Sequence, residues 1–500
     1  MTKIYYLFKI CLQISPIVIQ YPLGKNTKYH PKKKGKSKMK MIYQVSDRPG
    51  ISKTIVFAIQ QILAIMAATI VVPSIINGNA SLVGEAAMSQ SAALLGAGVG
   101  TIVYLLLTKF KSPVFLGSSF AFIGSMTAAF AGAVGNYTLG YLGLVIGAIF
   151  AGLVYVIIAI VVKFAGVKWI AKLMPPVVIG PTVALIGLSL AGAAIKDVFS
   201  YGPHDGNGFV MSTKIWVSFI CAMVTLLVVV VTSTYGKKIA KLIPFIIGIG
   251  AGYLVALVFT LIGNATGNAD LAIINFAPLK ALVADGVSLS TFVALPDFTF
   301  LKAFKGVGSF NGAYLATVAV AYIPVAFVVF AEHIADHKNL STIIEKDLLE
   351  EPGLHRTLLG DGIGSMAGAF FGGCPNTTYG ESVGCVAITG NASVVTILTA
   401  AVGCILISFF SPFVALLSTI PGCVMGGVCV TLYGFIAVSG LKMIQKVDLE
   451  DNANLFTVSS ILIPGIGGMA MSIGKVTITA VACSLILGII VNVLLHRKKD

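Results

Sequence analysis

Long apolar runs dominate the chain, beginning near Ile55 and recurring to Leu495 with short polar breaks between them. Read as membrane spans, they predict fourteen segments, with cores near 55–76, 91–108, 113–132, 139–163, 174–195, 214–233, 243–263, 312–334, 357–373, 376–390, 394–410, 414–439, 454–471 and 475–495. Several are shorter than the about 20 residues that a straight helix needs to cross the hydrocarbon layer. The basic residues in the breaks alternate from side to side. KFKS (109–112), KFAGVKWIAK (163–172), GKKIAK (236–241), residues 336–356, LKMIQK (441–446) and the tail HRKK carry nearly all of them. The other breaks are poor in lysine, with Lys196, Lys214, Lys280, Lys302, Lys305 and Lys475 as exceptions. Cytoplasmic loops hold the excess of lysine and arginine in such proteins. The expectation is therefore an even number of spans in a cell membrane, with both termini in the cytoplasm.

The long mixed interval 264–311 divides the runs seven and seven, giving a first repeat over 46–263 and a second over 312–500. The third run of each half carries a related segment: Gly117-Ser118-Ser119-Phe120-Ala121 and Asn376-Thr377-Thr378-Tyr379-Gly380, with Pro113 and Pro375 just upstream. Seven is odd, so two such halves enter the membrane in opposite orientations. Inverted repeats whose matching spans are broken by Gly and Pro place a transporter site near the bilayer midplane. The backbone groups freed by the break must face protein, water or substrate, because lipid cannot satisfy them. The prediction is an all-α polytopic membrane protein in which spans three and ten are interrupted.

Composition supports the membrane reading and removes others. Hydrophobic residues make up 57% of the chain and charged residues 11%, against about 25% charged in a typical soluble domain; mean hydropathy is +0.95. The net charge of +15 would suit nucleic acid, but ten lysines sit in residues 1–40, which hold no acid. Residues 1–45 read as a basic cytoplasmic arm, with translation starting at Met41 as an alternative; a cleaved leader is not expected. No nucleic-acid partner follows. The cysteines Cys11, Cys221, Cys374, Cys385, Cys404, Cys423, Cys429 and Cys483 have no metal-binding spacing, and seven lie in or beside apolar runs, where a thiol acts as a small hydrophobe. No Walker A, HExxH or GxSxG sequence is present, so neither ATP-driven transport nor hydrolysis is indicated. No metal or cofactor is expected.

Four acids stand inside or at the ends of apolar runs: Glu332, Asp336, Asp361 and Glu381. An ionisable residue there is expensive and by default marks a substrate or ion path. Glu381 directly follows the broken Thr-Thr-Tyr-Gly segment, so its carboxylate can work beside freed backbone N–H groups to hold an amide-like ring, or it can be a structural carboxyl satisfied by local backbone. Glu332 and Asp336 share one helix face, with His333 and His337 one residue further round. They belong either to a site or to the cytoplasmic end of their span. Asp361, in GDGIG, reads as a helix cap, and His355 and Arg356 as part of a cytoplasmic loop.

Together, AEHIADHKNL (331–340), KDLLEEPGLHRTLLGDG (346–362), PNTTYGE (375–381) and PGCVMGGV (421–428) resemble the nucleobase/ascorbate transporter family, in particular its bacterial uracil permeases. QQILAIMAATIVVP (60–73), GSSFAFIG (117–124) and PPVVIGPTVALIGLSLAG (175–192) extend the likeness over roughly 45–495. The resemblance implies a core domain of spans 1–4 and 8–11 and a gate domain of spans 5–7 and 12–14. It also implies short strands in spans three and ten, a homodimer, and elevator-like movement of core against gate with uracil and a proton as cargo. By motif match, Glu332, Glu381, the Gly380 backbone and Phe120 would bind the pyrimidine, with Glu381, Glu332 and Asp336 as proton-coupling candidates. Purine carriers of the family typically have an Asn-Val-Gly type sequence where Tyr379-Gly380-Glu381 stands here. Gln60-Gln61 replaces the frequent Gln-His of span one, so no histidine role is carried over. Asp336 stands where some uracil permeases have histidine. A xanthine or other purine permease is the alternative within the family. An anion exchanger on a similar fold is the alternative outside it, though no Lys or Arg lies beside Phe120 or Gly380.

Overall fold

The computed structural model describes residues 41–166, 175–200, 202–237, 239–284, 286–473 and 476–496. Residues 1–40 of the basic arm, most of the lysine-bearing stretch 163–172, Lys475 and residues 497–500 lie outside them. The apolar runs form helices in the expected order. The first half contains α1 (Ile51–Asn79), α2 (Gln90–Leu107), α3 (Ile123–Gly132), α4 (Tyr137–Ala165), α5 (Pro176–Val198), α6 (Thr213–Tyr235) and α7 (Pro244–Thr266). The second contains α8 (Gly312–Ile344), α9 (Leu354–Gly372), α10 (Gly380–Thr389), α11 (Val394–Ser408), α12 (Gly422–Ile444), α13 (Asn452–Ile466) and α14 (Ala480–His496). Among the described residues eight helices are long and apolar enough to cross a membrane, namely α1, α2, α4 to α8 and α12; α3, α11, α13 and α14 are apolar but shorter. The chain is a multi-pass, all-α membrane protein.

Two three-residue strands interrupt this series. β1 (Leu116–Ser118) and β2 (Asn376–Thr378) pair antiparallel, with Leu116 opposite Thr378 and Ser118 opposite Asn376. Both are completely buried, so their mutual pairing satisfies backbone groups that lipid could not. Each strand leads into a half-length helix, β1 into α3 and β2 into α10. The pairing thus brings the starts of two half-helices to the middle of the molecule. A second hairpin, β3 (Met471–Ile473) with β4 (Val476–Ile478), precedes α14.

The most extensive helix contacts are α2 with α9 and α5 with α12, partners seven apart in the series, as are the spans joined by β1 and β2. Small residues make the α2–α9 approach possible: a Cβ on Gly96 would sit 2.4 Å from the Gly368 carbonyl oxygen. Without a hydrophobic force between helices in lipid, such close backbone packing holds them together. The helices fall into two sets. α9 packs on α2 and α4, α11 on α1 and α2, and α8 on α3 and α4; α12 packs on α5 and α6, α7 on α6, and α13 on α5 and α14.

Several boundaries differ from those expected. α8 runs on to Ile344 because no breaker intervenes and Leu340 and Ile344 continue its buried face. Glu332 and Asp336 are therefore within the helix and not at its end. The apolar run 414–439 divides at Pro421 into a short helix, Ser411–Ser418, and α12. The run from 475 begins as a strand through the β-branched Val476-Thr477-Ile478 before α14 starts. His355 and Arg356 stand in the first turn of α9 instead of a loop, and the Arg356 guanidinium donates to the Leu107 carbonyl at 3.4 Å.

Candidate functional site

The strand crossing forms one wall of a cavity of about 410 Å³. Phe120, from the turn between β1 and α3, lines it together with Thr378, Gly380 and Glu381. Glu332 and Asp336 face the same space from α8, and Ile186, Phe245 and Phe435 close it from α5, α7 and α12. All five residues singled out in the sequence for binding and proton coupling, Phe120, Glu332, Asp336, Gly380 and Glu381, are brought together here. The helical repeat explains the pairing on α8: Glu332 and Asp336 share the cavity face, while His333 and His337 are turned inward and fully buried.

Local geometry leaves backbone and carboxylate groups of this wall open to the cavity. Gly380 and Glu381 form the first turn of α10, and Tyr379, at its N-cap, supplies no side-chain cap. The opening N–H groups of a helix have no partner within it and carry the positive end of its dipole. A methyl group on Gly380 would find Asp336 Oδ1 as its nearest neighbour, 4.0 Å away, so the backbone there is open to the cavity. Thr378 Oγ1 donates to Asp336 Oδ2 at 2.8 Å, tying β2 to α8. The Phe120 ring meets Tyr433 of α12 edge-on at 6.3 Å, so an aromatic contact joins the two helix sets beside the site. The repeated segments are not equivalent residue for residue. Both Phe120 and Tyr379 border the cavity, but Tyr379 also covers Gly117, and its hydroxyl donates to the Ser118 carbonyl at 2.6 Å.

Sequence reasoning missed the supporting residues. Gln61 Nε2 donates to Ser382 Oγ, immediately after Glu381, and the Phe115 N–H donates to the same hydroxyl at 3.3 Å. Behind the cavity, His333 Nδ1 meets Asp361 Oδ2 at 2.7 Å and its Nε2 meets Thr357 Oγ1 at 3.0 Å. His337 Nδ1 donates to the His333 carbonyl at 2.8 Å, and its Nε2 pairs with the Tyr104 hydroxyl at 2.7 Å. Asp361 is thus no cap: it lies mid-way along α9, buried, as the partner of His333. A polar residue on an apolar helix was the available signal for Gln61. Cys374 and Cys385, on either side of the β2–α10 segment, are buried free thiols.

Comparison with known proteins decides the family. A sequence model of the permease family (Xan_ur_permease) matches residues 52–474, most of the chain. The chain belongs to this family. The permease is 37% identical to the uracil permease of Bacillus caldolyticus over 463 residues, 92% of this chain and 96% of the relative. It is 36% identical to the uracil permease of Bacillus subtilis (strain 168) over 468 residues, 93% and 97% of the two chains. Among solved structures it is similar to the transmembrane domain of a cyanobacterial bicarbonate transporter, BicA, with a TM-score of 0.56 and 14% identity. That likeness covers 90% of this permease and all of the BicA domain, and concerns the fold alone. The family and its relatives are permeases, so the activity is transport and not an enzymatic reaction.

Proposed function

We propose that this permease imports uracil together with a proton. One observation carries the reading: Glu332, Glu381 and the start of α10 at Gly380, which no Tyr379 side-chain cap covers, face one cavity beside the Phe120 ring. A pyrimidinedione presents ring N–H donors and carbonyl acceptors in alternation. Carboxylate oxygens of Glu332 and Glu381 accept from the N–H groups, the Gly380 N–H donates to a carbonyl, and Phe120 covers the ring face. Charge-assisted bonds of this kind are the strong ones. The relatives named as uracil permeases support the choice of substrate. Among the described residues lining the cavity there is no lysine or arginine, so an anion has no cationic partner there.

Glu332, Asp336 and Glu381 share the cavity, and a proton taken up among them relieves repulsion between like charges. Uracil and proton then favour the same occupied state. In the proposed cycle the helices α1–α4 and α8–α11 form the core, and α5–α7 and α12–α14 the gate. The fourteen elements are fourteen spans with both termini cytoplasmic, in the cell membrane, and the permease works as a homodimer. The loaded core slides past the gate and releases uracil and proton inside. Only a difference in ligand affinity between the two states can drive that shift.

Uptake of labelled uracil into proteoliposomes of the purified protein, with and without an inward proton gradient, tests this. Gradient-stimulated uptake that excess xanthine leaves intact is the expected result. Uptake blocked by xanthine transfers the substrate to the purines, and uptake indifferent to the gradient removes the proton.

A further inference from the structure

A second, much smaller cavity of about 10 Å³ lies behind β2, enclosed by α4, α8 and α9, with Phe122, Gly152 and Val329 as apolar walls. Five polar side chains also border it, Tyr155 of α4, Asp361 and Ser365 of α9, and Asn376 and Thr377 of β2, and three of them, Tyr155, Asp361 and Asn376, leave an oxygen unpaired. These three are buried, at 4%, 1% and 1% exposure. Each presents an oxygen with no partner among protein groups: the Tyr155 hydroxyl, Asp361 Oδ1 and Asn376 Oδ1. The remaining polar atoms of the two acceptor side chains are already engaged. Asp361 Oδ2 pairs with His333 Nδ1 at 2.7 Å, and Asn376 Nδ2 donates to the Gly96 carbonyl at 2.8 Å. The orientation of the Asn376 amide is thereby fixed, with its oxygen left over.

The geometry points to a site for one internal water molecule held by Tyr155, Asp361 and Asn376. The volume meets the roughly 10–15 Å³ that a single water requires, and three polar partners lie within its usual two to four. The chemistry matches group by group. A water has two hydrogens to donate, one each for Asp361 Oδ1 and Asn376 Oδ1, and a lone pair to accept from the Tyr155 hydroxyl. Water bridges of this kind are nearly as favourable as direct hydrogen bonds. The bound water joins β2, whose Thr377 and Thr378 line the large cavity, to the buried His333–Asp361 pair and to α4.

Two tyrosines separate this assignment from an empty void. Tyr322 is likewise buried with an unpartnered hydroxyl, but it does not border the small cavity. An unpartnered buried hydroxyl costs stability, whereas a bonded one contributes it. Thermal melting of the full-length protein in detergent should therefore give a lower Tm for Tyr155→Phe, and a Tm at or above the parent for Tyr322→Phe. A Tyr155→Phe protein as stable as the parent, or more so, overturns the assignment. A structure of the full chain at a resolution that resolves water should show one peak about 2.6–3.2 Å from all three oxygens, absent in Tyr155→Phe. A void without a peak overturns the assignment, as does a peak with the shorter, more numerous oxygen contacts of a metal ion.

Discussion

Glu381 and Glu332 were legible as soon as the apolar runs were drawn, because a carboxylate in such a run stands out against everything around it. Hydrogen bonds to charged groups are worth about 1.5–3 kcal/mol, so Glu381→Gln and Glu332→Gln should each weaken uracil binding roughly ten- to a hundredfold. Equilibrium binding to protein still present in the membrane checks this; unchanged affinity in either variant removes that residue from the site. Ser382 and Gln61 were not legible for the opposite reason. Hydroxyls and amides are common in apolar helices, and the partner that gives Gln61 meaning lies 321 positions away. Asp361 was misread because its glycine neighbours suggest a helix end, while its true partner His333 sits on another helix. A second residue-scale expectation concerns Glu351, an exposed carboxylate bonded by Lys111 at 2.6 Å and Lys346 at 3.0 Å. The two ammonium groups lower its pKa from the ordinary 4.5 to about 2. Its contribution to folding is accordingly complete above pH 4.5 and disappears as pH falls through about 2. Lys111→Ala should move the Glu351 carboxyl back toward 4.5, read from a carbon-13 titration of that side chain.

At the scale of elements, the order of helices followed from hydropathy, but the small strands did not. Three residues are too few to show an alternation, and β1 and β2 are buried on every side. The broken third and tenth runs indicated where they would fall without indicating that they pair. Their pairing makes a sharp distinction between two glycines. A Cβ on Gly117 would lie 2.4 Å from the Tyr379 ring, whereas one on Gly380 has open space out to 4.0 Å. Overpacking of a filled site costs about 1–3 kcal/mol. Gly117→Ala should therefore lower the Tm, and Gly380→Ala should keep the parent Tm while weakening ligand binding by narrowing the cavity. Melting curves and binding isotherms of both variants provide the check; equal Tm values for the two variants contradict the packing argument. The run 414–439 shows a different limit: hydropathy reads through Pro421, where the backbone turns from one helix into the next.

For the whole molecule, the distribution of lysines gave a direction for each span, and α8 turns it into a test. Its 33 residues, Gly312–Ile344, run nearly 50 Å at 1.5 Å each, more than the about 30 Å of hydrocarbon. Lys305, just before α8, and Thr342, in its last turn, are both exposed. In a cysteine-free background, Lys305→Cys should react with a membrane-impermeant thiol reagent added outside cells, and Thr342→Cys only after the cells are opened. The reverse pattern inverts the topology. What hydropathy cannot report is which helices touch, because lipid-facing and protein-facing residues are equally apolar; the α2–α9 contact rests on glycines that look like any others in the chain. The joining of β1 to β2 also sets an order on how the protein is made. The Tyr379 hydroxyl meets a carbonyl 261 positions earlier. When the ribosome has delivered the first half, the edge of β1 is already committed to the membrane interior, and its partner has yet to be synthesised. Until the tenth element arrives, the insertion machinery or the neighbouring helices must shelter that edge, and a chain ending before Asn376 lacks the wall of the cavity that β2 and α10 supply.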